Sequence, residues 1–204
     1  MDRYFLHAGH LGDCWAYMNY LLDVADGKPI IAVSPNPDRV EWYRRIYDLL
    51  EHDDCISFEV SGDYRRKLGK QRMFVDRVYH KVKKQYTQTD NTIAYSITAR
   101  SFNEQDLHRQ LTGFVGDVEE YKYIECGLPM EIEEIVDILS RCTLYVGIDN
   151  GVSHLARSVG CPMIFLNARC HDITHAHPKQ FCDYVQADSV EEVRMKVREQ
   201  LEEI

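Results

Sequence analysis

No stretch of this 204-residue chain is apolar for long enough to cross a bilayer as a helix. No secretory leader is expected either, because Met1-Asp2-Arg3 runs directly into a strand-like segment. There is no Cys-x-x-Cys pair. The seven cysteines are odd in number and irregularly spaced, which argues against a disulfide framework and points to reduced thiols in a cytoplasmic protein. Positive charge is not in excess: 24 Lys and Arg against 33 Asp and Glu leave a formal net charge of −9, which argues against a general nucleic-acid binder. Internal repeats and low-complexity tracts are also missing. What is present is a hydrophobic content of 45%, ordinary for a soluble globular protein, and a length that suits one large or two small domains.

Residues 143–167 organise the rest. Leu144 to Ile148 is a short apolar run of the kind buried in a parallel sheet. Asp149-Asn150-Gly151 is turn chemistry, since Asn and Gly tolerate φ > 0. Val152 to Val159 reads as a helix of about two turns, ended by Gly160 and followed by Pro162. Met163 to Leu166 is a second buried strand. Such a compact βαβ unit puts a helix N-terminus at the carboxyl edge of a sheet, where free backbone N–H groups favour an anion.

The N-terminal half repeats the theme. Tyr4 to Leu6 is a short strand, and His7-Ala8-Gly9-His10-Leu11-Gly12-Asp13 is a glycine-bearing loop. Cys14, Tyr17, Met18, Leu21 and Leu22 give the following helix its period, over Cys14 to Val24. Gly27-Lys28-Pro29 closes that helix, and Ile30 to Val33 is the next strand. Asp38 is placed to cap a helix reaching Leu50, with Val40, Tyr43, Ile46, Tyr47 and Leu50 on one face. Cys55 to Val60 supplies a third strand, so β-α-β-α-β gives a half-size parallel sheet. Asp13 has two readings at this level: a cap for the first helix, or a carboxylate kept anionic by the helix dipole and ready to accept a proton.

Residues 64–84 reverse the acidic trend. Nine basic residues, Arg65, Arg66, Lys67, Lys70, Arg72, Arg77, Lys81, Lys83 and Lys84, face Asp76 alone. A solvated basic face is the favoured reading, and a surface for an anionic acceptor or partner is the other. Polar Thr87 to Asn91 is the expected linker, between an N-terminal domain over 1–86 and a C-terminal domain over 91–204. Thr92 to Ile97 alternates as a strand, Phe102 to Phe114 holds a short helix, and Tyr121 to Cys126 is a strand. A helix follows Pro129, with Ile132, Ile135, Val136 and Leu139 as its buried stripe. Between Asn167 and Cys182, His171, His175, His177, Cys170 and Cys182 are dense, but their spacing fits no standard zinc set and no metal is expected. Ser189-Val190-Glu191-Glu192 opens an amphipathic terminal helix with a capping box.

Asp149-Asn150-Gly151-Val152-Ser153-His154-Leu155-Ala156, then Gly160-Cys161-Pro162, resembles the Asp-Ser/Thr-Gly-x-x-His-Leu-Ala…Gly-x-Pro signature of the heptosyltransferase-like glycosyltransferases, family 9, of GT-B fold. Asn150 stands where that family usually has Ser or Thr. Gly12-Asp13 is similar to the Gly-Asp of its N-terminal domain, and the helix-to-strand frame of residues 120–167 matches as well. The resemblance implies a reduced GT-B-like α/β architecture of two small Rossmann-like parallel-sheet halves. It implies transfer of a sugar from a nucleotide-diphosphate donor to an acceptor hydroxyl, with no cofactor. Asp13 would be the general base. Asp149, Asn150, Gly151, Val152, Ser153 and His154 would form the diphosphate turn, with Arg100 as a loosely matching cation. His10, Gly12, His171 and His175 are candidate acceptor or loop contacts. The alternatives are a nucleotide or nucleotide-sugar binding or sequestering protein without transfer, and a nucleotide-sugar hydrolase or epimerase of related architecture.

Overall fold

The structure is a computed structural model. It describes residues 1–53, 55–63, 80–96, 112–127, 129–148, 150–166, 184–187 and 189–203, with the backbone alone at 166 and 184–186. The chain forms two compact units, one built on Met1–Lys83 and the other on Lys84–Ile173 and Lys179–Ile204.

The N-terminal unit runs β1 (Asp2–Phe5), α1 (Leu11–Ala25), β2 (Ile30–Ser34), α2 (Pro37–Leu49) and β3 (Ile56–Val60). The strands form a parallel sheet in the order β1-β2-β3, with Asp2 opposite Ile30 and Ile30 opposite Ile56. Trp15, Met18 and Leu21 of α1, Tyr43 and Ile46 of α2, and Leu50 just past α2 are all buried. Two boundaries differ from the sequence expectation. Helix α1 begins at Leu11, not Cys14, so Gly12 and Asp13 lie inside its first turn. Helix α2 is capped by Asn36, not Asp38: the Asn36 side chain accepts from the amides of Asp38 and Arg39 at 2.9 and 3.3 Å. Pro37 then occupies the first helical position, where its missing N–H costs nothing.

The C-terminal unit contains β4 (Thr92–Ser96), a 3₁₀ turn (Thr112–Phe114), β5 (Lys122–Glu125), α3 (Ile132–Arg141), β6 (Leu144–Gly147), α4 (Gly151–Val159), β7 (Met163–Leu166), β8 (Tyr184–Ala187) and α5 (Val190–Glu202). All five strands are parallel, in the order β5-β4-β6-β7-β8. Strand β8 was not expected from the sequence. Alternation along the strands buries both faces, as a parallel sheet requires. Ile93, Leu144, Val146, Ile164 and Ala187 pack with Phe114, Val193 and Val197 on one side. The intervening Ala94, Tyr145, Met163 and Phe165 are buried too, and α3 and α4 pack on each other. The expected stripe of Ile132, Ile135, Val136 and Leu139 is buried. Ser189 caps α5 by accepting from Glu192 N at 3.1 Å.

Thr87, Thr89 and Asp90 donate their amides to the Ser140 and Arg141 carbonyls at the end of α3. Lys84 pairs with Asp137, and Arg141 with both Asp90 and Asp137. The segment entering β4 is therefore fastened along the C-terminal unit.

Gly147 ends β6 beneath the α4 turn. A Cβ there would run into the Tyr145 hydroxyl and lie 2.5 Å from its ring. Tyr145 is fully buried, so its phenol has little room to move. Gly147→Ala is expected to destabilise the fold by about 1–3 kcal/mol through overpacking. A denaturant midpoint equal to wild type would show that the phenol has space to spare.

Candidate functional site

Strand β4 pairs with β5 on one side and β6 on the other. The chain thus leaves β4 in one direction and later returns to its opposite flank. In an open parallel sheet the carboxyl ends of the two strands at such a reversal flank a crevice in which ligands bind. Here those ends are Ser96 on β4 and Gly147 on β6, and the N-terminus of α4 stands above them.

Asn150 connects the parts. Its Oδ1 accepts from Val152 N at 3.0 Å and Ser153 N at 3.1 Å, capping α4. Its Nδ2 donates to Ser96 Oγ at 2.9 Å and to the Ser96 carbonyl at 3.2 Å. Ser153 Oγ donates to the Asn150 carbonyl at 2.8 Å and accepts from Asn150 N at 3.3 Å. This corrects the expected turn chemistry. Asn150 is extended, with φ −148°, and Gly151 opens the helix, so neither needs a positive φ. The asparagine serves through its carboxamide, not through left-handed backbone. The cap also changes which amides are open. Val152 N and Ser153 N are occupied, whereas Gly151 N has no acceptor among the described residues.

Ser153 and His154 are both buried on α4. Arg157, which sequence reading passed over, is fully buried on the same helix. Gly160 ends α4 in the left-handed conformation, with φ 84°, as expected. Asp149, Arg100, His171 and His175 lie outside the described residues, as do residues 64–79 of the basic run and the His/Cys-rich segment 167–182.

In the N-terminal unit Asp13 is the third residue of α1 and half-buried. Its Oδ2 accepts from His10 N at 3.3 Å, so it braces the helix entry as well as carrying a charge. His10 is exposed and Gly12 half-buried in the same first turn. Gly9 was not singled out from the sequence, yet it abuts Asp13: a Cβ on it would fall 2.5 Å from Asp13 Cβ and 3.1 Å from Oδ2.

The loop between β1 and α1 is irregular but not loose. Tyr17 donates its hydroxyl to the Phe5 carbonyl at 2.7 Å, and Tyr43 to the His7 carbonyl at 3.2 Å. Arg39 donates to the Leu6 carbonyl at 3.4 Å and Cys14 Sγ to the Gly9 carbonyl at 3.5 Å. Buried carbonyls need such donors. Burial pushes the Tyr17 and Tyr43 phenols well up from their usual value, so both remain protonated donors at physiological pH.

Two α/β units, each built on a parallel sheet, are the ingredients of a GT-B-like architecture. Residues 70–178 match the model of glycosyltransferase family 9 (heptosyltransferase), and the chain belongs to that family. It is a glycosyltransferase. The fold is similar to E. coli heptosyltransferase WaaC, solved with ADP, at 9% identity and TM-score 0.53 over 98% of this chain and 100% of that one. It is similar to the family 9 glycosyltransferase from Veillonella parvula DSM 2008 at 12% identity and TM-score 0.53, over 100% of this chain and 89% of that one. No curated protein matches the sequence. No described helix is long and apolar enough to cross a membrane, and among the described residues no cluster of three or more His, Cys, Asp or Glu is placed to hold a metal.

Proposed function

We propose that the protein transfers a sugar from a nucleotide-diphosphate donor to an acceptor hydroxyl. The N-terminal unit serves the acceptor and the C-terminal unit the donor. The observation that carries this reading is the α4 N-terminus at the switch point, capped by Asn150 with Gly151 N open. The helix dipole and that amide favour a diphosphate oxygen. They favour it more as the bond to the sugar breaks and negative charge grows on the leaving nucleoside diphosphate.

Asp13 takes the acceptor proton while the acceptor oxygen bonds to the anomeric carbon. His154, buried on α4, positions the turn without touching the substrate. Asp149 and Arg100 complete the diphosphate contacts in this reading, and His10, Gly12, His171 and His175 are candidates for acceptor or loop contacts. The charge is handled by amides and cations, so the reaction as drawn calls on no metal. A cytoplasmic location fits the thiols of Cys14, Cys55, Cys126, Cys142 and Cys161, which are buried and not joined in disulfides.

The direct test incubates the protein with a panel of nucleotide sugars and candidate acceptors and measures released nucleoside diphosphate and glycosylated product. ADP-sugars are the first to try, because the WaaC structure was solved with ADP. Nucleotide binding with no turnover on any pair would favour a sequestering protein. Hydrolysis without an acceptor would favour a donor-cleaving enzyme.

Gly151→Val places a branched side chain beside the open amide. It is expected to weaken nucleoside-diphosphate binding by about tenfold or more, one hydrogen bond to a charged oxygen being worth about 1.5–3 kcal/mol. The melting temperature should fall only slightly, since the position is half-exposed. Unchanged affinity in calorimetry would remove this turn from the donor site.

A further inference from the structure

Asn150 uses its whole hydrogen-bonding capacity. A carboxamide has two N–H donors and an oxygen with two lone pairs. Here the oxygen serves Val152 N and Ser153 N, and the nitrogen serves Ser96 Oγ and the Ser96 carbonyl. The orientation is forced, because two amide donors demand the oxygen on one side and the Ser96 carbonyl demands the nitrogen on the other. The carboxamide is planar, so fixing its nitrogen on β4 fixes its oxygen on α4. Ser96 is itself buried, which keeps water from competing for the tether.

We propose that Ser96 is a positioning residue for the donor turn and acts through Asn150. The tether from the carboxyl end of β4 holds the cap of α4 in place, and the cap keeps the first turn wound so that Gly151 N–H points outward. If the tether is cut, the carboxamide rotates, the first turn frays, and the open amide loses its aim. This rests on reading the α4 N-terminus as the donor site. Ser96 need not touch the ligand: its effect on affinity passes through one side chain and disappears with it.

The test is a double-mutant cycle with Ser96→Ala and Asn150→Ala. Binding of ADP, UDP, GDP, CDP and inorganic pyrophosphate is measured by calorimetry, and exchange of the Val152 and Ser153 amides by hydrogen-exchange NMR. Asn150→Ala, which removes the cap altogether, is expected to weaken binding of the preferred probe about tenfold. Ser96→Ala removes the Oγ half of the tether and leaves the carbonyl half, and is expected to weaken binding about threefold, the effect of one lost hydrogen bond. It should also speed exchange at both amides. Combined with Asn150→Ala, it should do nothing further. An equal loss from Ser96→Ala in both backgrounds would mean that the serine acts directly or through general stability, and would overturn the proposal. So would no loss in either background. Failure of the unmutated protein to bind any of the five probes would overturn the donor reading and this proposal together. That outcome is separate from binding without coupling, which overturns this proposal alone.

Discussion

Asp13→Asn is expected to lower sugar transfer by about 10²–10⁴-fold while nucleotide affinity and melting temperature stay close to wild type, this being the usual loss when a general base is removed. The structure makes the substitution a clean one. Asn has the size of Asp, so it still fits against Gly9, where a Cβ would already be 2.5 Å away. Its amide oxygen can still accept from His10 N, the bond that braces the first turn of α1. What is lost is the negative charge. Its interaction with the helix dipole contributes about 0.3–1 kcal/mol at such a half-exposed position, a small change in stability. The measurement needs the donor and acceptor found in the nucleotide-sugar screen. A mutant with wild-type turnover would reduce Asp13 to a bracing residue. A mutant that loses affinity but keeps its turnover number would make Asp13 a ligand contact and not a base.

Much of this scaffold was legible in the chain because its signals are local. The Ile132, Ile135, Val136 and Leu139 stripe, the Gly160 helix stop and the three strands of the N-terminal sheet each follow from spacing within a dozen residues. The features that were missed depend on distant partners. Tyr43 reaches the His7 carbonyl across 36 residues and Asn150 reaches Ser96 across 54, and neither pairing leaves a mark in sequence. The early start of α1 is the work of His10 and Asp13 at a glycine-rich entry, which propensity alone reads as loop. Asn36 and Asp38 are equally competent caps, and only Pro37 between them favours the first. Strand β8 is four residues long, too short for a periodic signal of its own, and it is defined by its pairing with β7. At Asn150 the motif is legible in the sequence but its physics is not. The residue reads as a turn former, whereas it is an extended cap with a fully engaged carboxamide.

The charge at position 150 gives the strongest test of an anion site. Asn150→Asp keeps an acceptor for Val152 N and Ser153 N, and Asp caps helices as well as Asn does. Its negative charge is favoured by the α4 dipole. Against this, the oxygen replacing Nδ2 would face the Ser96 carbonyl, a repulsion that Ser96 Oγ–H can relieve in part by turning to donate. These terms are of similar size and opposite sign, so the melting temperature should stay near wild type. A diphosphate feels something else: a fixed negative charge at the mouth of its site. Two unit charges 4 Å apart interact by about 4 kcal/mol at an effective dielectric of 20. Position 150 is only half-buried, and solvent screening takes a good part of that. Nucleoside-diphosphate affinity is therefore expected to fall about 30- to 100-fold at low salt, roughly 2–3 kcal/mol. The loss should shrink as salt rises, because the Debye length contracts from about 30 Å at 0.01 M to about 8 Å at 0.15 M. Calorimetric titration of the variant with the nucleoside diphosphate at those two ionic strengths checks both parts. A stable variant that binds as well as wild type would mean that the α4 N-terminus is a structural cap and not the donor site. A loss of the same size at both salt concentrations would point to a changed turn geometry in place of charge.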